Sequence, residues 1–226
     1  PTGTVGSRAG TLLAATASMH ITIRGKGGHA ALPHTCIDPV TTTAKLILEL
    51  QTIVARELDP MDSGIVSVTE VHGGTAFNVI PGEMELKGTL RALTLEGMAY
   101  LKQRVTTMAE HIAAANRCQV TIDFPGASYP PTVNDPACWD MARHEAAALL
   151  NPDNVLDVPA VMGGEDFAYY TEQVPGCFML LGTGNPDKGT THSVHHPAFK
   201  VDEDALPTGT TLHVLNALRA LDDLST

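Results

Sequence analysis

The chain has 226 residues, of which 43% are hydrophobic and 17% are charged, a composition typical of a globular protein with a substantial buried core. Its formal net charge is -11, and it contains no run of basic residues. Nucleic acid and anionic membranes are bound through Lys and Arg contacts with phosphate, so both are excluded as expected partners and small-molecule chemistry is favoured.

The first half of the chain predicts a two-layer domain. Helical spacing predicts a helix that follows Asp38-Pro39 and buries Val40, Ala44, Ile47, Leu50 and Val54. A second helix is predicted over 98–112, and alternating apolar residues predict strands over 19–23, 64–72, 83–91 and 120–124. The order strand, helix, strand, strand, helix, strand is typical of a ferredoxin-like (βαββαβ) domain, in which two helices cover one sheet face and a polar face stays open.

The second half of the chain follows a different pattern. Prolines and glycine over 125–131 predict a hinge, and Asp135-Pro136 predicts the start of a helix that runs to about residue 150. The apolar run 177–181 predicts a strand buried on both faces, and a terminal helix is expected to direct Leu212, Leu215, Leu218 and Leu221 toward a core. This half therefore predicts part of an α/β layer structure with too few strands to be independently stable.

The glycine-rich segment 25–34 is the first candidate functional feature. It places His29 directly after an alternating strand, and Gly25, Gly27 and Gly28 permit close approach of another surface. A histidine presented in this way can reach a ligand or a second subunit. The alternative is a turn that carries a solvated histidine.

Histidines in the segment 191–197 form the second candidate feature. Neutral imidazole is the commonest metal ligand, and His192 and His195 lie three residues apart in a loop before the terminal helix. The alternative for His195 is a loop histidine bonded to the backbone. No Cys-x-x-Cys pair occurs among the four cysteines, so inert thiols are expected rather than a zinc knuckle or a redox pair.

Four further polar residues complete the candidate set. Glu165 and Asp166 follow two glycines and could act as an acid/base pair, or Asp166 could cap a short helix over 167–172. Arg91 can bind a substrate carboxylate with two hydrogen bonds, or it can be a solvated or cross-strand-paired arginine. The side-chain amide of Asn78 can donate to an oxyanion, or it can stabilise its own turn.

Taken in order, these segments resemble the dinuclear-metal aminoacylase and hippurate hydrolase family, which includes indole-acetic acid amino-acid hydrolases and N-acetyl-diaminopimelate deacetylases. The resemblance covers the entire chain. Each motif alone is weak evidence for the family, and the occurrence of all six in the correct order is strong evidence. They are Gly6-Ser7-Arg8-Ala9-Gly10, the segment 25–34 with Asp38-Pro39, the segment 73–81, Gly88-Thr89-Leu90-Arg91, the segment 162–170, and His195-His196-Pro197 followed by 202–206.

The resemblance implies a fold and roles for the candidate residues. The fold is α/β, with residues 1–16 and 127–226 as the C-terminal part of a catalytic domain and residues 17–126 as an inserted ferredoxin-like lid that forms a homodimer. His29 would stabilise the oxyanion in the partner subunit's site, while Asn78 and Arg91 would assist at the oxyanion and the substrate carboxylate. His195, with His196 as the fallback, would bind a metal, and Glu165 would have a supporting role near the substrate.

The resemblance also implies a reaction, and it implies that some residues needed for that reaction are missing from this sequence. The substrate would be a small N-acyl amino acid, attacked by water bound to two divalent metal ions, zinc or manganese. The family's other ligands and its general base precede the first residue of this sequence, so the chain supplies at most one ligand and is expected to be inactive alone. We expect a cytoplasmic protein whose N-terminal segment is absent from this sequence. The alternative functions are a metal-free module for dimerisation or small-ligand binding, and a structural remnant.

Overall fold

The computed structural model describes residues 1–126 and 128–225. The strands are β1 (Val5–Ser7), β2 (Gly10–Leu13), β3 (Ala15–Arg24), β4 (Gly28–His29), β5 (Gly64–Gly73), β6 (Val79–Ile80), β7 (Glu83–Ala92), β8 (Gln119–Asp123), β9 (Thr132–Asn134), β10 (Val155–Asp157) and β11 (Leu180–Leu181). The α-helices are α1 (Pro39–Thr52), α2 (Leu95–Ala115), α3 (Pro136–Leu150), α4 (Ala168–Thr171) and α5 (Leu206–Leu224). None of the helices in these residues is long and apolar enough to cross a membrane.

The chain divides into two compact units. The sheet unit comprises Leu13–Pro131 and Met162–Asp166, and the terminal unit comprises the remaining described residues. Ala127, the first residue of the second predicted catalytic segment, lies outside the described residues. The short segment 162–166 therefore leaves the terminal unit and returns to the sheet unit.

The sheet unit has the predicted ferredoxin-like fold. Its four strands lie in the order β5-β7-β3-β8, and every neighbouring pair is antiparallel. Along the chain the elements follow the order β3, α1, β5, β7, α2, β8, which confirms the predicted βαββαβ arrangement. The long pairing of β3 with β7 runs from Ala15 opposite Ala92 to Arg24 opposite Glu83.

One face of the sheet is buried beneath α1 and α2. Alternation along β3 directs Met19, Ile21 and Ile23 into this core, where all three are at most 1% exposed. The buried residues of α2 include Met98, Leu101 and Val105, as the helical spacing predicts.

The core face predicted for α1 is confirmed at Leu50, which is buried, and at Ile47, which is half-buried and packs against the core, but it is wrong at Val40, Ala44 and Val54. Those three residues are exposed, and α1 instead buries Pro39, Thr42, Thr43 and Leu46, with Ile53 buried directly after its last residue. Thr42 can face the core because its hydroxyl donates to the backbone carbonyl of Asp38 (2.9 Å). Hydropathy alone does not reveal such a threonine, because the local hydrogen bond removes the cost of burying its hydroxyl.

The terminal unit has a smaller core. Its sheet has the order β10-β1-β11, with α3 and α5 in contact with one another, while β2 and β9 form a separate pair. Leu212 of α5 is buried as predicted and Leu215 is half-buried, but Leu218 and Leu221 are more than half exposed, so the predicted core face is wrong over the C-terminal part of this helix. The predicted strand 177–181 is also shorter, because only Leu180–Leu181 pairs with β1 and Leu180 is 40% exposed.

A buried carboxylate organises the loop between β11 and α5. Asp202, whose side chain is 1% exposed, accepts hydrogen bonds from Lys188 (2.6 Å), from the amide of Asn185 (2.9 Å) and from the hydroxyl of Thr2 (2.9 Å). The bond from the Lys188 ammonium, supported by that from Asn185, holds the pKa of Asp202 well below its usual range. This carboxylate therefore joins the first residues of the chain to the end of the terminal unit.

All four cysteines are free thiols. Cys36 and Cys118 are buried in the sheet unit, and Cys138 and Cys177 are half-buried in the terminal unit. Burial raises the pKa of the Cys177 thiol to about 11, so this thiol is protonated at neutral pH and has little nucleophilic character. The expectation of inert cysteines agrees with these environments.

Two leucines of α1 provide a matched test of the sheet-unit core. Leu46 is fully buried and Leu48 is 71% exposed. We expect Leu46→Ala to lower the free energy of unfolding by about 2–5 kcal/mol, because it leaves a cavity, and Leu48→Ala to change it by less than about 0.5 kcal/mol. Urea denaturation followed by circular dichroism measures both values, and equal losses would contradict this assignment of the core.

The Asp202 cluster predicts a dependence of stability on pH. The pKa of Asp202 is lowered in the folded state, so its stabilisation is present above the unfolded value near 3.8 and is lost as pH falls toward the folded pKa. We expect Asp202→Asn to be less stable than wild type at pH 7, with a smaller loss of stability on acidification. Urea denaturation at pH 7 and pH 3 measures the difference, with Asp187→Asn as a control on the same loop. An unchanged acid dependence in Asp202→Asn would refute this role.

Candidate functional site

His29 and Asn78 lie together at one end of the sheet unit. Strand β4, which carries His29, pairs with β6, and His29 lies opposite Val79. The backbone amide of Ala30 donates to the carbonyl of Asn78 (3.0 Å), which joins the two segments a second time. Both side chains are exposed, so the structure brings these two predicted residues together on an accessible tip.

A backbone hydrogen bond determines which nitrogen of His29 can act as a donor. The amide of Ala31 donates to Nδ1 of His29 (3.1 Å), so in the neutral ring the proton lies on Nε2. The Nε2–H group is therefore free to point outward as a hydrogen-bond donor. A donor in this form suits an oxyanion, whereas a metal ion requires a nitrogen lone pair.

Asn78 occupies a tight turn. The amide of Val79 donates to the carbonyl of Ala76 (3.3 Å), which places Phe77 and Asn78 at the two central positions of a β-turn. The preceding glycine, Gly74, has φ +80°, a conformation that glycine adopts without strain. The turn and the strand pairing together hold the amide of Asn78 close to the His29 segment.

Arg91 and Glu165 lie at the other end of the same sheet. Nη1 of Arg91 donates to the carbonyl of Met162 (3.1 Å), and its Nε donates to the hydroxyl of Thr89 (3.3 Å). The amide of Ala14 donates to the carbonyl of Gly163 (2.8 Å), so the segment 162–166 is held against this end of β3. Arg91 is half-buried, with nitrogens left to bind an anion.

Gly164 permits this close packing. A Cβ at residue 164 would collide with the side chain of Thr16, so only glycine fits without a shift of that side chain. The carboxylate of Glu165 accepts a hydrogen bond from the amide of Asp166 (3.1 Å). The predicted cap by Asp166 is wrong, because α4 begins at Ala168 and its N-terminus receives no side-chain cap.

The sheet keeps the two pairs of residues far apart. Thr16, opposite Arg91, and Arg24, next to the turn that leads to His29, are eight residues apart on β3. At a rise of about 3.3 Å per residue, the two ends are separated by roughly 26 Å. His29 and Arg91 of one chain therefore cannot contact the same small substrate.

His195 lies in the terminal unit, in an exposed turn. The amide of His196 donates to the carbonyl of Ser193 (3.2 Å), and His195 has φ +68°, an uncommon conformation for a residue with a side chain. Backbone strain of this kind occurs preferentially at functional positions. The left-handed backbone of His195 is therefore a feature of the terminal unit that is consistent with a functional role.

His196 is the weaker candidate for a metal ligand. Its Nδ1 accepts a hydrogen bond from the amide of Ala198 (3.0 Å), and its ring stacks on that of His192 with centroids 4.1 Å apart. The neutral ring thus carries its proton on Nε2, and both nitrogens are engaged or protonated. His195 has no such hydrogen bond among the described residues.

A complete metal centre is not formed by the residues that the structure describes. They contain no group of three or more His, Cys, Asp or Glu side chains placed to hold a metal ion. A catalytic zinc or a dinuclear centre needs at least three protein ligands. His195 is an exposed imidazole among these residues, and a single imidazole can supply one ligand.

Two cavities lie away from the candidate residues. One, of about 410 Å³, lies in the sheet unit between residues 57–64 and 92–101, and the other, of about 540 Å³, lies in the terminal unit between α3 and α5. Among the described residues that line them, none is a predicted site residue.

Two features that matter at these sites were not predicted from the sequence. The hydrogen bond from Ala31 to His29 has no sequence signal, because it depends on the turn geometry. Phe77, directly before Asn78, is fully exposed, and its position inside a glycine-rich loop was the available signal.

Comparison with known proteins identifies relatives across nearly the whole chain. The sequence profile of peptidase family M20/M25/M40 matches residues 3–219. IAA-amino acid hydrolase ILR1-like 2 of Arabidopsis thaliana is 40% identical over 226 residues, which is 99% of this chain and 51% of that protein. N-acetyl-L-cysteine deacetylase of Bacillus subtilis is 39% identical over 220 residues, which is 97% of this chain and 51% of that protein.

A solved structure shares the fold. A dinuclear metal binding peptidase of the M20 family from Bacillus subtilis superposes with a TM-score of 0.78 at 32% identity, covering 98% of this chain and 54% of that protein. The chain spans about half the length of the curated relatives it matches.

Proposed function

Because the chain belongs to peptidase family M20/M25/M40, we propose that it forms part of a metal-dependent amidohydrolase that cleaves N-acyl amino acids. The named relatives hydrolyse or deacetylate amino-acid conjugates, which supports this substrate class. The single observation that carries the proposal is the His29 tip, where a backbone bond leaves the Nε2–H group free to donate.

The proposal assigns a role to each candidate residue. His29 and Asn78 donate hydrogen bonds to the carbonyl oxygen as it gains negative charge, and donors in fixed positions stabilise such a transition state without reorganisation. Arg91 binds the carboxylate of the amino-acid portion, and Glu165 supports it from the same end of the sheet. His195 contributes one ligand to a divalent metal centre, zinc or manganese, that residues beyond this chain complete.

A homodimer through the sheet unit is part of the proposal. The two ends of β3, one opposite Arg91 and the other next to the turn that leads to His29, lie about 26 Å apart at a rise of about 3.3 Å per residue. One substrate can contact both residues only if they come from two chains. The proposed site therefore combines Arg91 of one protomer with His29 and Asn78 of its partner.

A metal-free module is the second candidate function. It is favoured by the lack of a three-ligand group among residues 1–126 and 128–225. In that case the sheet unit would serve for dimerisation or for binding a small ligand on its open polar face.

Hydrolysis assays with the complete polypeptide that contains this chain test the proposed function. We expect amino-acid release from N-acetyl, N-benzoyl and indole-acetyl amino acids, loss of that activity on chelation, and its return with zinc or manganese. The 226-residue chain alone is expected to be inactive because its described residues contain no group that could hold a metal ion. Absence of hydrolysis of all three substrate types, with metal supplied, would favour the metal-free module.

His29→Ala is expected to lower kcat in the complete polypeptide by about a hundredfold, because one oxyanion donor is lost. Its melting temperature and metal content should not change, since the side chain is exposed. His34→Ala is the control, because His34 is an exposed histidine on the same loop. Steady-state kinetics measure the effect, and turnover that matches wild type would refute the assignment of His29.

A further inference from the structure

We propose that Phe77 is a specificity-determining residue, whose ring packs against the acyl group of the substrate and favours aromatic acyl groups over acetyl. The inference rests on the proposed function and extends it to one residue. It starts from an aromatic side chain that is 102% exposed beside Asn78.

The turn itself does not require a phenylalanine. Phe77 is the first of the two central residues of the Ala76–Val79 turn, a position that accepts most residue types. Its ring contributes nothing to the buried core of the sheet unit, since it is fully exposed. Exposure of a large aromatic surface to water is unfavourable. This cost is recovered when the ring is removed from water in the functional complex.

The position of Phe77 is held by backbone contacts. The amide of Val79 closes the turn onto the carbonyl of Ala76 (3.3 Å), and the carbonyl of Asn78 accepts from the amide of Ala30 (3.0 Å). The ring is therefore carried by the same clamped segment as the amide of Asn78. A group presented on such a fixed segment loses less conformational entropy on binding than one on a free loop.

Two more apolar side chains flank the donors. Leu32, whose amide donates to the carbonyl of His29, is 50% exposed, and Val79, opposite His29 in the β4–β6 pair, is 44% exposed. Together with Phe77 they are exposed apolar residues of the two paired segments that carry His29 and Asn78, a group that we call the apolar collar. When this collar docks, it excludes water, and a hydrogen bond strengthens in the lower dielectric constant that results.

The placement of Arg91 determines which part of the substrate faces Phe77. In the proposed site Arg91 of one protomer binds the amino-acid carboxylate, and the partner's tip approaches with its donors at the carbonyl oxygen. The acyl group is bonded to that carbonyl carbon on the side away from the amino acid. Phe77, which lies beside the donors His29 and Asn78, therefore contacts the acyl group rather than the amino-acid side chain.

The aromatic ring of Phe77 predicts which acyl groups give a higher kcat/KM. A benzoyl or indole-acetyl group offers a flat surface for offset or edge-to-face packing against Phe77, and an acetyl methyl group offers almost none. Apolar pockets discriminate between such groups by about ten- to a hundredfold in kcat/KM.

The test compares N-benzoyl-L-alanine with N-acetyl-L-alanine, which differ only in the acyl group, in the complete polypeptide. We expect Phe77→Ala to lower kcat/KM for the benzoyl substrate about tenfold and for the acetyl substrate less than twofold. Phe77→Leu should fall between wild type and Phe77→Ala. Leu48→Ala, which also removes an exposed apolar side chain of the sheet unit, should alter neither substrate.

The other outcomes are distinguishable. Equal losses for both substrates, or dissociation of the dimer in gel filtration, would show that Phe77 contacts the partner protein and would overturn the proposal. Unchanged kinetics for both substrates would overturn it as well. If wild type cleaves neither substrate with metal supplied, the proposed function itself fails, and this result is obtained before any variant is made.

Discussion

The antiparallel pairing of β3 with β7 is the constraint on which the candidate site depends. Ten residue pairs connect these strands without a shift of register, from Ala15 opposite Ala92 to Arg24 opposite Glu83. A hydrogen-bonded sheet with a buried face does not slip, because a shift by one residue would move every core side chain to solvent. The separation between the Arg91 end and the His29 end of the sheet is therefore a fixed property of the fold. It keeps the guanidinium of Arg91 at one end and the imidazole of His29 at the other.

The two ends of the sheet present different chemical groups. At the Arg91 end, the segment 162–166 returns to the sheet, and the absence of a Cβ at Gly164 lets it pack against β3. A guanidinium held between a hydroxyl and a carbonyl suits a carboxylate. At the His29 end, short strands and a turn present donors on an exposed tip, and backbone bonds rather than side-chain packing orient them. In the proposed homodimer, a second copy of the chain brings these two surfaces to one substrate.

Prediction from the sequence was most accurate where a repeating pattern alone decides the outcome. Alternation along β3 and the spacing along α2 identified buried faces correctly, because each element directs one side into the same hydrophobic core. It failed on α1, where Thr42 is buried with its hydroxyl bonded to the backbone. It also failed on α5, where Leu218 and Leu221 have the spacing of core residues but find too little partner surface among the described residues.

For the candidate site, the sequence by itself determined the residue types, their order along the chain and the family they resemble, because motifs are local and each carries its own glycines and polar groups. The tertiary structure alone decided which candidates meet. It placed Asn78 beside His29, Arg91 beside the segment that carries Glu165, and His195 in a different unit. It also decided that Nε2 of His29 is the donor. These outcomes depend on strand register and on backbone hydrogen bonds between distant residues, which no local pattern encodes.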